Sequence, residues 1–212
     1  MTGIGKSGQK PLDLLVLSLL VERPMHPYEM AQLAVKRHFD RLVKLRTTSI
    51  YHVVERLHAQ GLLRVHDVVR EGNRPERTVY ALTDEGRAAH RATLEHLLAE
   101  RPVEFPQLYL ALAQAHELPR EDASRLLRQR RAEMADELTQ VVDLVESTSA
   151  SGVPEVFRLD GGMRIATLRA QIDWLDVLLD RMDNHEIAWL DDVLGDVTCT
   201  NNETDGLGYD LL

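Results

Sequence analysis

Apolar positions recur at helical spacing through most of the chain. Leu12, Leu15, Leu19 and Leu20 form one stripe behind Pro11, which suits a first helical turn, so a helix is expected from Pro11 to about Val21. The segment Glu22-Arg23-Pro24-Met25-His26-Pro27 breaks it. A second helix is expected from Tyr28 to about His38, with Met30, Leu33 and Ala34 inward. Ile50, Val53, Val54 and Leu57 fall at i, i+3, i+4 and i+7, which predicts a third helix from Thr48 to about Gln60. Gly61 then fits a left-handed position just past its end. After Gly61 the period changes. Leu62 to Val69 and Glu76 to Leu82 are rich in β-branched and aromatic residues, and Arg70-Glu71-Gly72-Asn73-Arg74-Pro75 between them carries turn chemistry. The pair reads as a β-hairpin. Thr83-Asp84-Glu85 has the form of a capped helix start with acids in the first turn, and a fourth helix is expected to about Glu100, before Pro102.

The second half reads as helix throughout. One helix is expected from Pro106 to His116, and a long one from Pro119-Arg120-Glu121-Asp122 to about Glu146. Ser147 to Pro154 is expected to be a break, with Phe157 and Leu159 packed. Gly161-Gly162 precedes a last helix, from Met163 to Met182 and on towards Leu194. In it Ile165, Leu168, Ile172, Leu175, Leu179 and Met182 are spaced 3, 4, 3, 4, 3, an a/d seam suited to dimerisation. Leu127, Met134, Leu138, Val141 and Val145 form a looser seam on the preceding helix. Such stripes are covered either by a second copy or by each other within one chain. The expected organisation is a loose arm (1–10), a domain of four helices and a hairpin (11–100), a helical domain (101–194) and a disordered tail (195–212).

Composition narrows the function classes. With 212 residues and 44% hydrophobic content the chain can bury a core without staples. The single cysteine, Cys199, excludes an internal disulfide and a Cys-based zinc site. The longest apolar run, Leu14 to Val21, is too short to cross a bilayer and has no cleavage-site pattern after it, so a cytoplasmic protein without membrane attachment is expected. His26, His38, His52, His58, His66, His90 and His96 crowd the first half, but none has the helical spacing with a carboxylate that a metal site needs. No Gly-rich phosphate loop, Gly-x-Ser-x-Gly turn or Cys/His pairing occurs. Neither an enzyme nor a cofactor is expected.

Charge is distributed unevenly. Residues 1–100 hold fifteen Lys and Arg against twelve Asp and Glu, a balance of +3, while residues 101–212 hold ten against twenty-two, or −12. From Lys36 to Tyr80 there are ten basic and five acidic side chains, or +5. A basic module beside an acidic one suggests polyanion binding, although solvated faces give the same arithmetic.

Within Thr47–Leu82 these signals converge. Opposite the apolar stripe of the third helix lie Thr48, His52, Glu55 and Ala59, with Tyr51 and Arg56 on the flanks. Its exposed start carries Thr47, Thr48, Ser49, Tyr51 and His52, short polar groups able to bond phosphates or base edges, with Lys44 and Arg46 just before. The hairpin adds Arg70, Asn73, Arg74 and Arg77, which can clamp phosphates or enter a minor groove. Three helices followed by a basic hairpin is the order of a winged helix-turn-helix, mainly α with a small β-hairpin, whose third helix fits the major groove.

Several segments together resemble the PadR family of bacterial transcriptional regulators. They are Leu14 to Leu20, Met25-His26-Pro27-Tyr28-Glu29-Met30, Ser49-Ile50-Tyr51, Val54-Glu55-Arg56-Leu57, Gly61-Leu62-Leu63, and Arg77-Thr78-Val79-Tyr80-Ala81-Leu82-Thr83-Asp84-Glu85-Gly86. The resemblance implies that Tyr28 and Glu29 lie on the second helix, that Tyr51 lies on the recognition helix, and that Arg56 faces the DNA backbone. It implies that Tyr80, Leu82 and Thr83 end the wing and cap the fourth helix, and that the C-terminal helices pack across a homodimer two-fold. Many members approach the recognition helix through glycine; here the approach is Arg46-Thr47-Thr48-Ser49, whose chemistry can shift phosphate contacts or operator preference. Some members respond to phenolic acids or lipophilic drugs, and Phe105, Tyr109, Trp174 and Trp189 are candidates for lining such an effector pocket, against a reading as core or interface packing. The expected function is a homodimeric regulator, a repressor, binding duplex DNA at a palindromic operator and released by a small aromatic or lipophilic molecule. The alternative is a winged-helix protein-interaction module that does not touch DNA.

Overall fold

The computed structural model describes residues 10–69, 77–101, 103–190 and 192. The arm before Lys10, the hairpin tip with Arg70, Asn73 and Arg74, and the tail from Gly195 lie outside the described residues. The chain divides into two compact units, residues 1–103 and 104–212.

The first unit contains α1 (Pro11–Glu22), α2 (Pro27–Lys36), a 3-10 turn (Phe39–Arg41), α3 (Thr47–Ala59), β1 (Leu63–Val69), β2 (Arg77–Leu82) and α4 (Asp84–Ala99). Helix α1 is apolar on several sides because it is central: Leu15, Val16, Leu17, Leu19 and Leu20 are all buried, and α3, β2 and α4 pack around it. Helix α2 adds Met30, Ala31 and Ala34 to the same core, and α3 adds Ile50, Val53, Val54 and Leu57. Helix α3 ends as its glycine requires. Gly61 has φ +76°, the Leu62 N–H donates to the Leu57 carbonyl at 3.0 Å, and the Gly61 N–H donates to that of His58 at 2.9 Å.

That turn feeds the hairpin. β1 and β2 pair antiparallel from Leu63 opposite Leu82 to Val69 opposite Arg77, with a bulge at His66 between the Val65–Tyr80 and Asp67–Val79 pairs. Met25, just before α2, exchanges two backbone hydrogen bonds with Tyr80, at 3.1 and 3.0 Å, which ties the hairpin to the start of α2. Thr83 caps α4: its Oγ1 accepts from the Gly86 N–H at 3.0 Å and donates to the Gly61 carbonyl at 2.8 Å. Gly86 passes so close to β1 that a Cβ there would lie 2.1 Å from the Leu62 carbonyl oxygen.

The second unit contains α5 (Gln107–Ala113), a 3-10 turn (Ala115–Glu117), α6 (Arg120–Ala150), a second 3-10 turn (Glu155–Phe157) and α7 (Leu159–Asp183). Helices α6 and α7 form an antiparallel hairpin, with Arg131 and Asp176 paired across it at 2.8 Å and Arg164 and Glu137 at 2.5 Å. The buried Arg120 at the start of α6 holds the far end of α7. It binds the ring of His185, the Ile187 carbonyl at 3.0 Å and the carboxylate of Asp192. Trp189 is buried beside it and donates from Nε1 to the Leu118 carbonyl at 2.7 Å.

Four expectations for this unit change. The expected break over Ser147–Pro154 is helix as far as Ala150, because the Thr148 and Ser147 hydroxyls bond back to the Leu144 carbonyl at 2.8 and 3.0 Å instead of drawing the chain into a turn. Helix α7 starts at Leu159 and runs through Gly161-Gly162, a pair in the first turn where few intrahelical bonds depend on it. Phe157 and Leu159, expected to be packed, are 73% and 61% exposed. The seam also has a different partner from the dimer mate considered above. Leu168, Ile172, Leu175, Leu179 and Met182 are buried within the single chain, and Ile165 is partly buried on the same side. The antiparallel α6 covers that face, so the stripe serves the unit's own core.

Among the described residues no helix is long and apolar enough to cross a membrane. Because Leu175 is only 1% exposed, Leu175→Ala should lower the stability of the second unit by about 2–5 kcal/mol. Urea unfolding followed by the emission of Trp174 and Trp189 measures this; a change within error would show that the seam is not packed inside the chain.

Candidate nucleic-acid interface

The outer side of α3 is set by its inner side. With Ile50, Val53, Val54 and Leu57 held in the core, Thr47, Thr48, His52 and Glu55 are exposed, while Ser49, Tyr51 and Arg56 are partly so. Lys44 and Arg46 are exposed just ahead of the helix. Arg46 occupies the cap position without a side-chain cap bond, and the positive end of the helix dipole adds to the two cations there. The structure therefore brings Lys44, Arg46, Thr47, Thr48 and His52 onto one open surface. Arg77, at the start of β2, is also exposed.

The cations of this unit are not equivalent. Arg23 pairs with Glu29 at 2.5 Å, and Arg37 binds Glu22, which holds both carboxyls below their usual range through the hydrogen bonds they accept. Arg56, implied by the resemblance to face DNA backbone, is engaged inside the protein. Its two terminal nitrogens donate to the Asp13 carboxylate at 3.1 and 2.5 Å, and Asp13 is 2% exposed. The bond raises the Arg56 pKa and fastens α3 to α1. Among the described residues Lys44, Arg46 and Arg77 form no ion pair, so their charge is directed to solvent and to whatever approaches from it.

Tyr51 lies at the flank of the open α3 surface, half-exposed. Its ring meets that of His26 edge-on, with centroids 6.0 Å apart and planes at 78°. His26 in turn caps α2, its Nδ1 accepting from the Tyr28 N–H at 3.1 Å. The two rings border an open notch of about 240 Å³ lined also by Pro27, Val54, Glu55, Thr78 and Tyr80. Burial pushes the His26 imidazole below its usual pKa, and the Arg77 charge pushes it further, against a smaller opposing effect of Glu29. About two turns further along α3 the His58 Nδ1 donates to the Leu63 carbonyl at 2.9 Å, and its ring packs edge-on against Tyr80.

Two residues that matter here carry weak signals in the sequence. Asp13 reads as an ordinary first-turn acid, and its partner lies 43 positions away. His26 stands directly before a proline at a helix start, which marks it as a cap, but its contact with Tyr51 depends on how α2 and α3 cross.

The aromatic candidates for an effector pocket differ in burial. Phe105, Tyr109 and Trp174 are 88%, 67% and 49% exposed, whereas Trp189 is core. A groove of about 360 Å³ does lie in the second unit, but it is lined by Leu108, Ala111, Leu112, Leu118, Leu126 and Leu127 among others, and by none of the four aromatic residues.

Residues 16–92 match the family described as the transcriptional regulator PadR-like family. No curated protein matches the sequence. Among solved structures, Bacillus subtilis PadR in complex with operator DNA is similar at 18% identity with a TM-score of 0.66, covering 82% of this chain and 98% of its own. The same protein in complex with p-coumaric acid gives 18% identity and a TM-score of 0.63, with coverage of 82% and 98%. The Vibrio cholerae virulence activator AphA gives 18% identity and a TM-score of 0.64, covering 82% of this chain and 99% of its own.

Unfolding of the first unit should be linked to proton uptake. Burial holds both His26 and His90 below the ordinary 6.5, so the stability they confer is complete above about pH 6.5 and is lost as pH falls through their lower folded values. The urea midpoint should therefore drop between about pH 7.5 and about pH 5.5, and the drop should shrink in His90→Gln. An unchanged drop in that variant would remove His90 from the linkage.

Proposed function

We infer that this chain, whose residues 16–92 match the transcriptional regulator PadR-like family, is a sequence-specific DNA-binding regulator acting as a homodimer. The observation that carries the reading is the exposed start of α3, where Lys44, Arg46, Thr47 and Thr48 are held outward by a fully buried inner stripe. Such an end can enter a major groove, with short hydroxyls against base edges and phosphates and cations against the backbone. Arg77, together with Arg70, Asn73 and Arg74 of the hairpin tip, supplies the wing contact with flanking phosphate. The operator complex of Bacillus subtilis PadR, a protein of the same fold, supports this use of the fold.

Dimerisation follows from a second face of α7. Leu159, Met163, Ala166, Ala170, Trp174 and Val177 succeed one another at steps of 4, 3, 4, 4 and 3, on the opposite side of the helix from the buried seam. All six are exposed, Met163 by 71%, over about 27 Å of helix. An apolar stripe of that length on one chain matches the same stripe on another copy around a two-fold. Two winged helices fixed about 34 Å apart then read two half-sites of a palindromic operator, and binding gains from both being met together. A dimer seated across a promoter would exclude polymerase, and we infer repression on that ground. A small aromatic or lipophilic effector that changes the spacing of the two winged helices would release it, a reading supported by the p-coumaric acid complex of the Bacillus protein.

Gel-shift titration on the protein's own upstream region, repeated over a salt series, tests DNA binding. Affinity should fall steeply with salt, Arg74→Ala should weaken binding on every sequence and flatten the salt slope, and Thr48→Ala should cost about 1–3 kcal/mol on the operator alone. Binding no better than to random duplex would favour a protein-interaction module instead. For the dimer, Met163→Asp combined with Val177→Asp should give monomers of native helicity by light scattering and circular dichroism, with weakened operator binding. A dimer surviving both changes would place the two-fold elsewhere.

A further inference from the structure

We propose that His26, a residue outside the DNA-facing set, is a positioning residue that fixes the orientation of Tyr51 on the recognition helix and ties it to the wing. The inference rests on the DNA-binding reading of α3 and deepens it.

Three connections meet at this residue. Its backbone follows Met25, which is locked to Tyr80 of β2 by two hydrogen bonds. Its Nδ1 accepts from the Tyr28 N–H and so fixes the ring relative to α2. Its ring stands edge-on against the Tyr51 ring, 6.0 Å between centroids. A tyrosine at a half-exposed helix position has several rotamers open to it, and a base contact needs one of them. The fixed imidazole removes some of that freedom before DNA arrives, so less is lost on binding. Because the preceding residue, Met25, is bonded to β2 and the imidazole itself touches α3, a shift of the wing is transmitted through the His26 backbone to Tyr51. The remaining charged neighbours are Glu29 on α2, Glu55 on α3 and Arg77 on β2.

Capping and ring support are separable by substitution. His26→Asn keeps an acceptor for the Tyr28 N–H but removes the ring; His26→Phe keeps a ring but removes the acceptor. The expected results are opposite. His26→Asn should melt like the wild type and lose about tenfold in operator affinity, the equivalent of one misread base pair, with little change on random duplex. His26→Phe should melt lower and keep its preference for the operator over random duplex. In a Tyr51→Ala background His26→Asn should cost nothing further. A readout without DNA accompanies these: the Tyr51 ring resonances should titrate with the midpoint of His26 and stop titrating in His26→Asn. Operator binding by His26→Asn equal to wild type, or an equal loss with and without Tyr51, would overturn the proposal. Wild-type protein that fails to distinguish operator from random duplex, with the resonance coupling intact, would instead strike the DNA-binding reading and the proposal with it.

Discussion

A carboxylate almost out of reach of water must be answered by a positive charge, and in this protein that demand is made by Asp13 and met by Arg56. The apolar stripe of α3 supplies most of the force that holds the helix against α1, but apolar contacts have little directional preference. The Asp13–Arg56 pair has a direction: two nitrogens meet two oxygens at 3.1 and 2.5 Å, and leaving the acid alone would strand a buried charge. The pair adds a fixed direction to the roll that the buried stripe of α3 already sets. Everything on its outer surface, from Thr47 to His52, takes its position from that roll.

This arrangement also sorts the positive charges. Arg23, Arg37 and Arg56 are tied to carboxylates within the first unit, and Lys44 and Arg46 are left facing outward. The modest excess of basic residues in the first half therefore understates how strongly the α3 start attracts an anion. In the second unit Arg128, Arg131 and Arg164 bridge α6 to α7, so its large acidic excess is left to the surface.

The second unit gives α7 two apolar faces. One apolar face closes the α6–α7 hairpin, and its opposite carries the exposed stripe from Leu159 to Val177. A helix with a single stripe could serve a monomer or a dimer, but not both. The Arg120 cluster, with His185, the Ile187 carbonyl and Asp192, pins the end of α7 so that neither face can rotate out of place.

The sequence by itself determined the local elements, because helix caps, glycines and hydrophobic periods act over a few residues. The Gly61 stop, the Thr83 cap, the hairpin and the inner stripe of α3 follow from neighbours along the chain, and so does the set of hydroxyls and cations at the start of α3. Tertiary structure decided the pairings. A heptad spacing from Ile165 to Met182 shows that a helix has an apolar face but not which helix covers it, since packing energy depends on area and fit rather than on which chain supplies them. Only the fold assigned that face to α6 and left the opposite one bare. The helix through Ser147–Ala150 escaped for a related reason: a hydroxyl bonding back to its own helix and one opening a turn have the same composition. Asp13 with Arg56, and His26 with Tyr51, were out of reach of local reasoning because each joins separate helices, and contact between separate helices depends on the crossing of their axes.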